Sequence, residues 1–154
     1  RYADICSQLF TAVHKASHFK DLQFYYFHNC IYDYLYLDAA CDSRRTIKTQ
    51  DLMSNLDSDY KAILVGDAAM APSELLMVDG NIFWDMSNDE PGITWLKRLA
   101  RKFPYNAWLN PIPKAQWNWT YGRQTINAIR EIFPMYELTL EGLDQAIKKL
   151  MVRK

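Results

Sequence analysis

The feature that most constrains this chain is the run Ala62–Val65, "AILV", closed by Gly66 and Asp67 within "YKAILVGDAAMAP". Four consecutive apolar residues give a strand no polar face, so both sides must be covered. The usual solution is a mostly parallel sheet with helices above and below. Gly66 permits a turn or a close backbone approach. Asp67 then places a carboxylate just past the carboxyl end of the strand, where open α/β sheets bind ligands. An aspartate there can equally hydrogen-bond the loop that follows it.

The rest of the chain fits this architecture. Tyr2, Ile5, Cys6, Leu9, Phe10 and Val13 recur at three- and four-residue spacing and predict a first helix. In "LQFYYFHNCIYDYLYL", aromatic and β-branched residues flank His28-Asn29, which predicts a hairpin at the sheet edge. A polar stretch, "DAACDSRRTIKT", precedes a short helix around Gln50–Leu56 and the strand Ala62–Val65. Roughly Ala68 to Gly92 is expected to be irregular. A helix follows in "ITWLKRLARKF", ended by Pro104, and then a strand in "NAWLN". After the loop "PIPKAQWNWTYGR" come a helix carrying Ile126, Ile129 and Ile132, a strand in "MYEL", and a last amphipathic helix with Thr139 as N-cap. Strands alternating with helices predict one doubly wound, Rossmann-like three-layer domain over residues 1–154.

Composition narrows the function. Lys+Arg 18 against Asp+Glu 18 gives zero net charge and removes any chain-wide attraction for nucleic acid or an anionic membrane. No apolar run approaches the roughly 18 residues of a membrane span. Cys6, Cys30 and Cys41 have no metal-binding spacing and are odd in number, so free thiols and a cytoplasmic location are expected. His14, His18 and His28 lack the HExxH pattern of a zinc helix. Neither a GxSxG nucleophile motif nor a glycine-rich phosphate loop is present.

Two sets of residues carry the functional argument. Thr49 precedes the short helix that runs into Ala62–Val65. If that helix packs antiparallel to the strand, Thr49 and Asp67 face one another, a hydroxyl and a carboxylate suited to Mg²⁺. Thr46 is a second candidate, and an ordinary helix start is the plainer role for Thr49. The second set is aromatic. The two long connections, Ala68 to Gly92 and Pro111 to Arg123, are expected at the same sheet edge and carry Trp84, Trp117, Trp119 and Tyr121. Such rings dominate protein interfaces, although they can also fold down as lids over the core.

The segments "YYFHNCIYDYLY", "YKAILVGDAAMAPSELL", "EPGITWLKRLARKFP", "AWLNPIP" and "FPMYELTLEGLDQAIKKL" resemble the von Willebrand factor A-type domain of the bacterial CoxE-like group. The resemblance implies a doubly wound sheet with a metal-ion-dependent adhesion site at its upper edge. In that family the site takes an Asp-x-Ser-x-Ser from the first strand, a threonine from a second loop and an aspartate after the fourth strand. Asp67 matches the aspartate and Thr49 the threonine. The Asp-x-Ser-x-Ser has no counterpart, because the chain opens inside what corresponds to the first helix. Weak or absent Mg²⁺ binding is therefore expected of these 154 residues.

The resemblance further implies a non-enzymatic interaction domain whose partner is a MoxR-type ATPase, acting in enzyme maturation or metal insertion. The alternative is a metal-dependent α/β hydrolase using Asp67, with Asp85 or Glu90 as a second acid. The absent strand would lie between Leu22–Phe27 and Ala62–Val65. Three outcomes are expected for that slot: direct pairing of its two walls, filling by an outside segment, or self-association through a second copy.

Overall fold

The structure is a computed structural model and describes residues 6, 10–11, 21–79 and 89–151. The expected first helix and residues 80–88, with His14, His18, Trp84 and Asp85, lie almost wholly outside these; of the helix, Cys6 and Phe10 are described, and both are helical and buried.

The elements in chain order are β1 (Tyr34–Tyr36), β2 (Thr46–Lys48), α1 (Thr49–Asn55), β3 (Ala62–Val65), α2 (Pro72–Leu76), α3 (Gly92–Lys102), β4 (Asn106–Asn110), α4 (Arg123–Arg130), β5 (Met135–Glu137) and α5 (Leu140–Met151). β3, β4 and β5 form a parallel sheet in that order. β1 and β2 form a separate antiparallel pair. The protein is thus α/β, with a parallel three-stranded sheet flanked by helices and one antiparallel pair.

The period of two along the strands sorts the core into two layers. Leu64 and Trp108 point into a cluster with Leu52 and Met53 of α1, Leu75 of α2, Leu96 and Leu99 of α3, and Ile126 and Ile129 of α4. Ile63, Val65, Ala107 and Leu109 point the other way, toward Leu143, Ala146 and Leu150 of α5 and toward Cys6 and Phe10. All five residues of β4 are buried. β4 is the central one of the three described strands of this sheet. β3 is covered on both faces but lies at the edge of the described sheet, and only its Leu64 is fully buried.

The helix ends follow local chemistry. Thr139 Oγ1 accepts the Gly142 N–H at 3.0 Å and caps α5 as expected. α3 stops at Phe103, just before Pro104, whose ring cannot continue it. The aromatic hairpin is only partly as predicted. Asn29 adopts the left-handed conformation (φ 56°) at the turn. The segment's partner, however, is offset: Tyr26 exchanges both backbone hydrogen bonds with Tyr36, and the far side of β1 is taken by Thr46–Lys48. Thr46–Lys48 thus makes a strand of the end of the polar stretch, where none was expected. Pro72–Leu76, expected to be irregular, is a short helix with Pro72 at its first position.

Candidate functional site

The candidate site is the carboxyl edge of β3 and β4. Residues 66–70 leave β3 and are fixed mostly through their backbone. Trp108 Nε1 donates to the Gly66 carbonyl at 2.8 Å, and Asn110 Nδ2 donates to the Asp67 carbonyl at 2.8 Å. Thr125 Oγ1 donates to the Ala68 carbonyl at 2.7 Å and accepts the Met70 N–H at 3.2 Å. Asn110 and Thr125 are both buried, so each is a polar side chain committed to shaping this turn. Ala68 sits inside it with φ 57°, a conformation alanine adopts only where its surroundings impose it.

Asp67 itself is exposed, and its Oδ1 accepts the Ala69 N–H at 3.0 Å. The loop-bonding role weighed from sequence is therefore present, with the carboxylate still facing solvent. Thr49 is placed differently. It is fully buried, and its hydroxyl donates to the Tyr32 carbonyl at 2.6 Å. It is the first residue of α1, preceded by Lys48 as N-cap, so it makes no cap of its own. Thr46 lies in β2. Of the expected oxygen donors, the accessible carboxylate at this edge is Asp67. A carboxylate and a buried, engaged hydroxyl do not by themselves make a Mg²⁺ site. Among the described residues no group of three or more His, Cys, Asp or Glu side chains could hold a metal.

The connection after β4 divides the aromatic set. Trp117 is 1% exposed and belongs to the large core cluster. Its Nε1 donates to the Ile112 carbonyl at 2.7 Å, and the Arg130 guanidinium lies 4.9 Å from its ring centroid. It acts as the lid that sequence reasoning weighed against a contact role. Trp119 and Tyr121 are 83% and 88% exposed. A 3₁₀ turn at Lys114–Gln116 separates these fates, since it faces Trp117 inward and carries the following residues out. Gly122 ends the loop against the preceding one: a Cβ there would lie 2.2 Å from the Ala69 Cβ. The two connections are therefore in direct contact, with Asp67 two residues before that contact and Tyr121 one residue before it.

Other candidate chemistry is accounted for by structure. Glu90 pairs with Arg98, which holds its carboxyl below the usual range, and the guanidinium lies over Trp95 at 4.8 Å. Burial pushes the Cys30 thiol up to about 12, so it carries no thiolate at neutral pH. All three cysteines are free. Among the described residues no helix is long and apolar enough to cross a membrane.

Sequence reasoning missed Asn110 and Thr125, the two side chains that hold the site loop. The available signal was positional: Asn110 directly follows the apolar Ala107–Leu109, and Thr125 lies beside Ile126 and four residues before Ile129 on the inward side of α4. No protein-family model, curated protein or solved structure matches this chain.

Proposed function

We propose that this chain is a non-enzymatic protein-interaction domain of doubly wound, von Willebrand factor A-like architecture, which engages its partner at the carboxyl edge of the sheet. The observation that carries this reading is the pair Trp119 and Tyr121, large aromatic side chains held out in solvent on a loop whose base is packed against the core. Aromatic anchors on a fixed frame are what interfaces use, because few rotamers are lost on binding. The Asp67 carboxylate lies on the neighbouring connection and adds a charged group to the same edge. The parallel order β3-β4-β5 with helices on both faces supports the architecture. The partner class implied by the CoxE-like resemblance is a MoxR-type ATPase.

The hydrolase alternative needs a second activated group beside Asp67; Asp67 has the Ala69 N–H on one oxygen, Glu90 is engaged by Arg98, and Asp85 lies outside the described residues.

The test is direct binding of purified chain to the MoxR-type ATPase of the same organism, by surface plasmon resonance with and without Mg²⁺. Replacing Trp119 and Tyr121 together by alanine is expected to weaken binding by about thirty-fold or more, the scale of a lost hot spot of about 2 kcal/mol. Unchanged affinity in a variant that keeps its thermal midpoint would overturn the proposal. Mg²⁺ binding by the isolated chain is expected to be weak or undetectable by calorimetry, and lost altogether in Asp67→Ala.

A further inference from the structure

The groove between α1 and α3 carries charge that the core and the aromatic edge do not use. Both helices contribute to the same core cluster. Outside it, Gln50, Met53 and Ser54 of α1 and Arg98, Arg101 and Lys102 of α3 line a groove of about 420 Å³. The spacing is the same in both helices, i, i+3 and i+4, which puts the three side chains of each on one face. Met53 is buried and gives the groove its apolar part, while the other five residues are polar. Three of those are cations, and no carboxylate is among the lining residues.

Arg98 is committed, with Glu90 on its guanidinium and the Trp95 ring 4.8 Å away. Arg101 and Lys102 are not: among the described residues neither has a carboxylate within ion-pair distance. Cations in the last turn of a helix oppose its dipole, and both residues have that role in α3. The dipole needs no second helix opposite them, however, and it does not account for Arg98 one turn earlier on the same face. The chain as a whole is neutral, so the surplus here is a local departure from its own average.

We infer that this groove docks an acidic segment of a partner polypeptide, whose carboxylates pair with Arg101 and Lys102 and whose apolar residue lies on Met53. A guanidinium fork matches a carboxylate, and methionine adapts to apolar side chains of different shape. From Arg98 to Lys102 the helix rises about 6 Å. That is close to the spacing of carboxylates four residues apart on a helix or two apart on an extended chain. An oligonucleotide fits less well. Arg101 and Lys102 are few cations for a phosphate backbone, and no aromatic ring lines the groove for bases to stack on. A free phosphate also fits less well, because the groove meets the carboxyl end of α3, which presents backbone carbonyls and not N–H groups. α3 leads into the amino end of β4, whereas Trp119 and Tyr121 follow its carboxyl end. The groove is therefore separate from the aromatic edge, and neither reading depends on the other.

The test is fluorescence anisotropy on the 154-residue chain with a labelled synthetic peptide, Gly-Asp-Leu-Glu-Leu-Asp-Gly, and its amide counterpart, Gly-Asn-Leu-Gln-Leu-Asn-Gly. The acidic peptide is expected to bind about ten-fold or more tighter than the amide peptide. Its affinity should fall at least about five-fold as NaCl rises from about 50 to about 500 mM. Arg101→Gln with Lys102→Gln should weaken it about ten-fold or more at an unchanged thermal midpoint, since neither side chain is buried. Arg101→Glu with Lys102→Glu should transfer the preference to a lysine-bearing peptide of the same length. Trp119→Ala with Tyr121→Ala should bind the acidic peptide as the parent does, so failure at the aromatic edge and failure at the groove are distinguishable. Four results would overturn the inference: no binding of the acidic peptide at millimolar concentration, equal binding of the two peptides, affinity that survives both pairs of substitutions, or tighter binding of inorganic phosphate or of an oligothymidylate than of the acidic peptide.

Discussion

Residues 67–71 and residues 111–122 leave adjacent strands at the same edge, but they are held in different ways. The first connection is gripped along its backbone, with Asn110 on the Asp67 carbonyl and Thr125 on both Ala68 and Met70. The second is held at separated points: Trp117 in the core, and the Lys114 N–H on the Glu137 carboxylate at 2.6 Å. Between those points and Gly122, Trp119 and Tyr121 project into solvent. One connection is frame and the other is display. The comparison teaches that aromatic content alone does not mark an interface. Trp117 and Trp119 are two residues apart in the same loop, and one is core while the other is surface.

A graded series of substitutions can break or sharpen this comparison. Trp117→Ala should have the largest effect, a loss of about 3–5 kcal/mol in urea unfolding, typical of an emptied aromatic core position. A loss below about 1 kcal/mol would place Trp117 with the display residues. Asn110→Ala comes next. It leaves the Asp67 carbonyl and the Ile112 N–H without their partner, at about 1–3 kcal/mol for each group that stays buried. An unfolding free energy equal to that of the parent chain would show that the first connection is not held through its backbone.

Gly122→Ala should cost about 1–3 kcal/mol through overpacking. Its φ of −83° suits any residue, so the cost would come from the collision with Ala69 alone. A Cβ there would also lie 2.4 Å from the Ala69 Cα, so Ala69→Gly in the same chain should recover only part of the cost, and a double-mutant cycle without any coupling would refute the contact. The smallest effect belongs to Trp119→Ala and Tyr121→Ala, each within about 0.5 kcal/mol of the parent in stability. A large melting shift in either would make the display loop part of the frame.

How much of this was legible in the sequence depends on whether a decision is local. Ala62–Val65 was found with its exact bounds because an unbroken apolar run ending in glycine is a local signal. Its place in the sheet was not found, since strand order depends on which neighbours pair and the run reads the same at an edge or a centre. Thr46–Lys48 was missed because three residues with a single apolar member have no period to detect; Tyr34–Tyr36 makes them a strand. The turn at Asn29 was readable from residue type, whereas the offset pairing of Tyr26 with Tyr36 was not. At the site, the exposed Asp67 follows from its position after the strand. The burial of Thr49 does not, because it depends on the Tyr32 carbonyl, 17 residues earlier in the chain.

The contact between Gly122 and Ala69 has a mechanical consequence. A partner that grips Trp119 and Tyr121 pulls on a loop that has no room to slide past its neighbour. The pull passes into Ala69, along a turn clamped by Asn110 and Thr125, and from there to the carboxyl end of β3. Force applied at the display loop is thus carried across the sheet as shear on parallel strands, a direction in which many hydrogen bonds must fail together. Single-molecule pulling from position 121 should therefore meet a higher rupture force than pulling from an exposed position in α5 such as Asp144, and Gly122→Ala should lower the first of these by wedging the load path open.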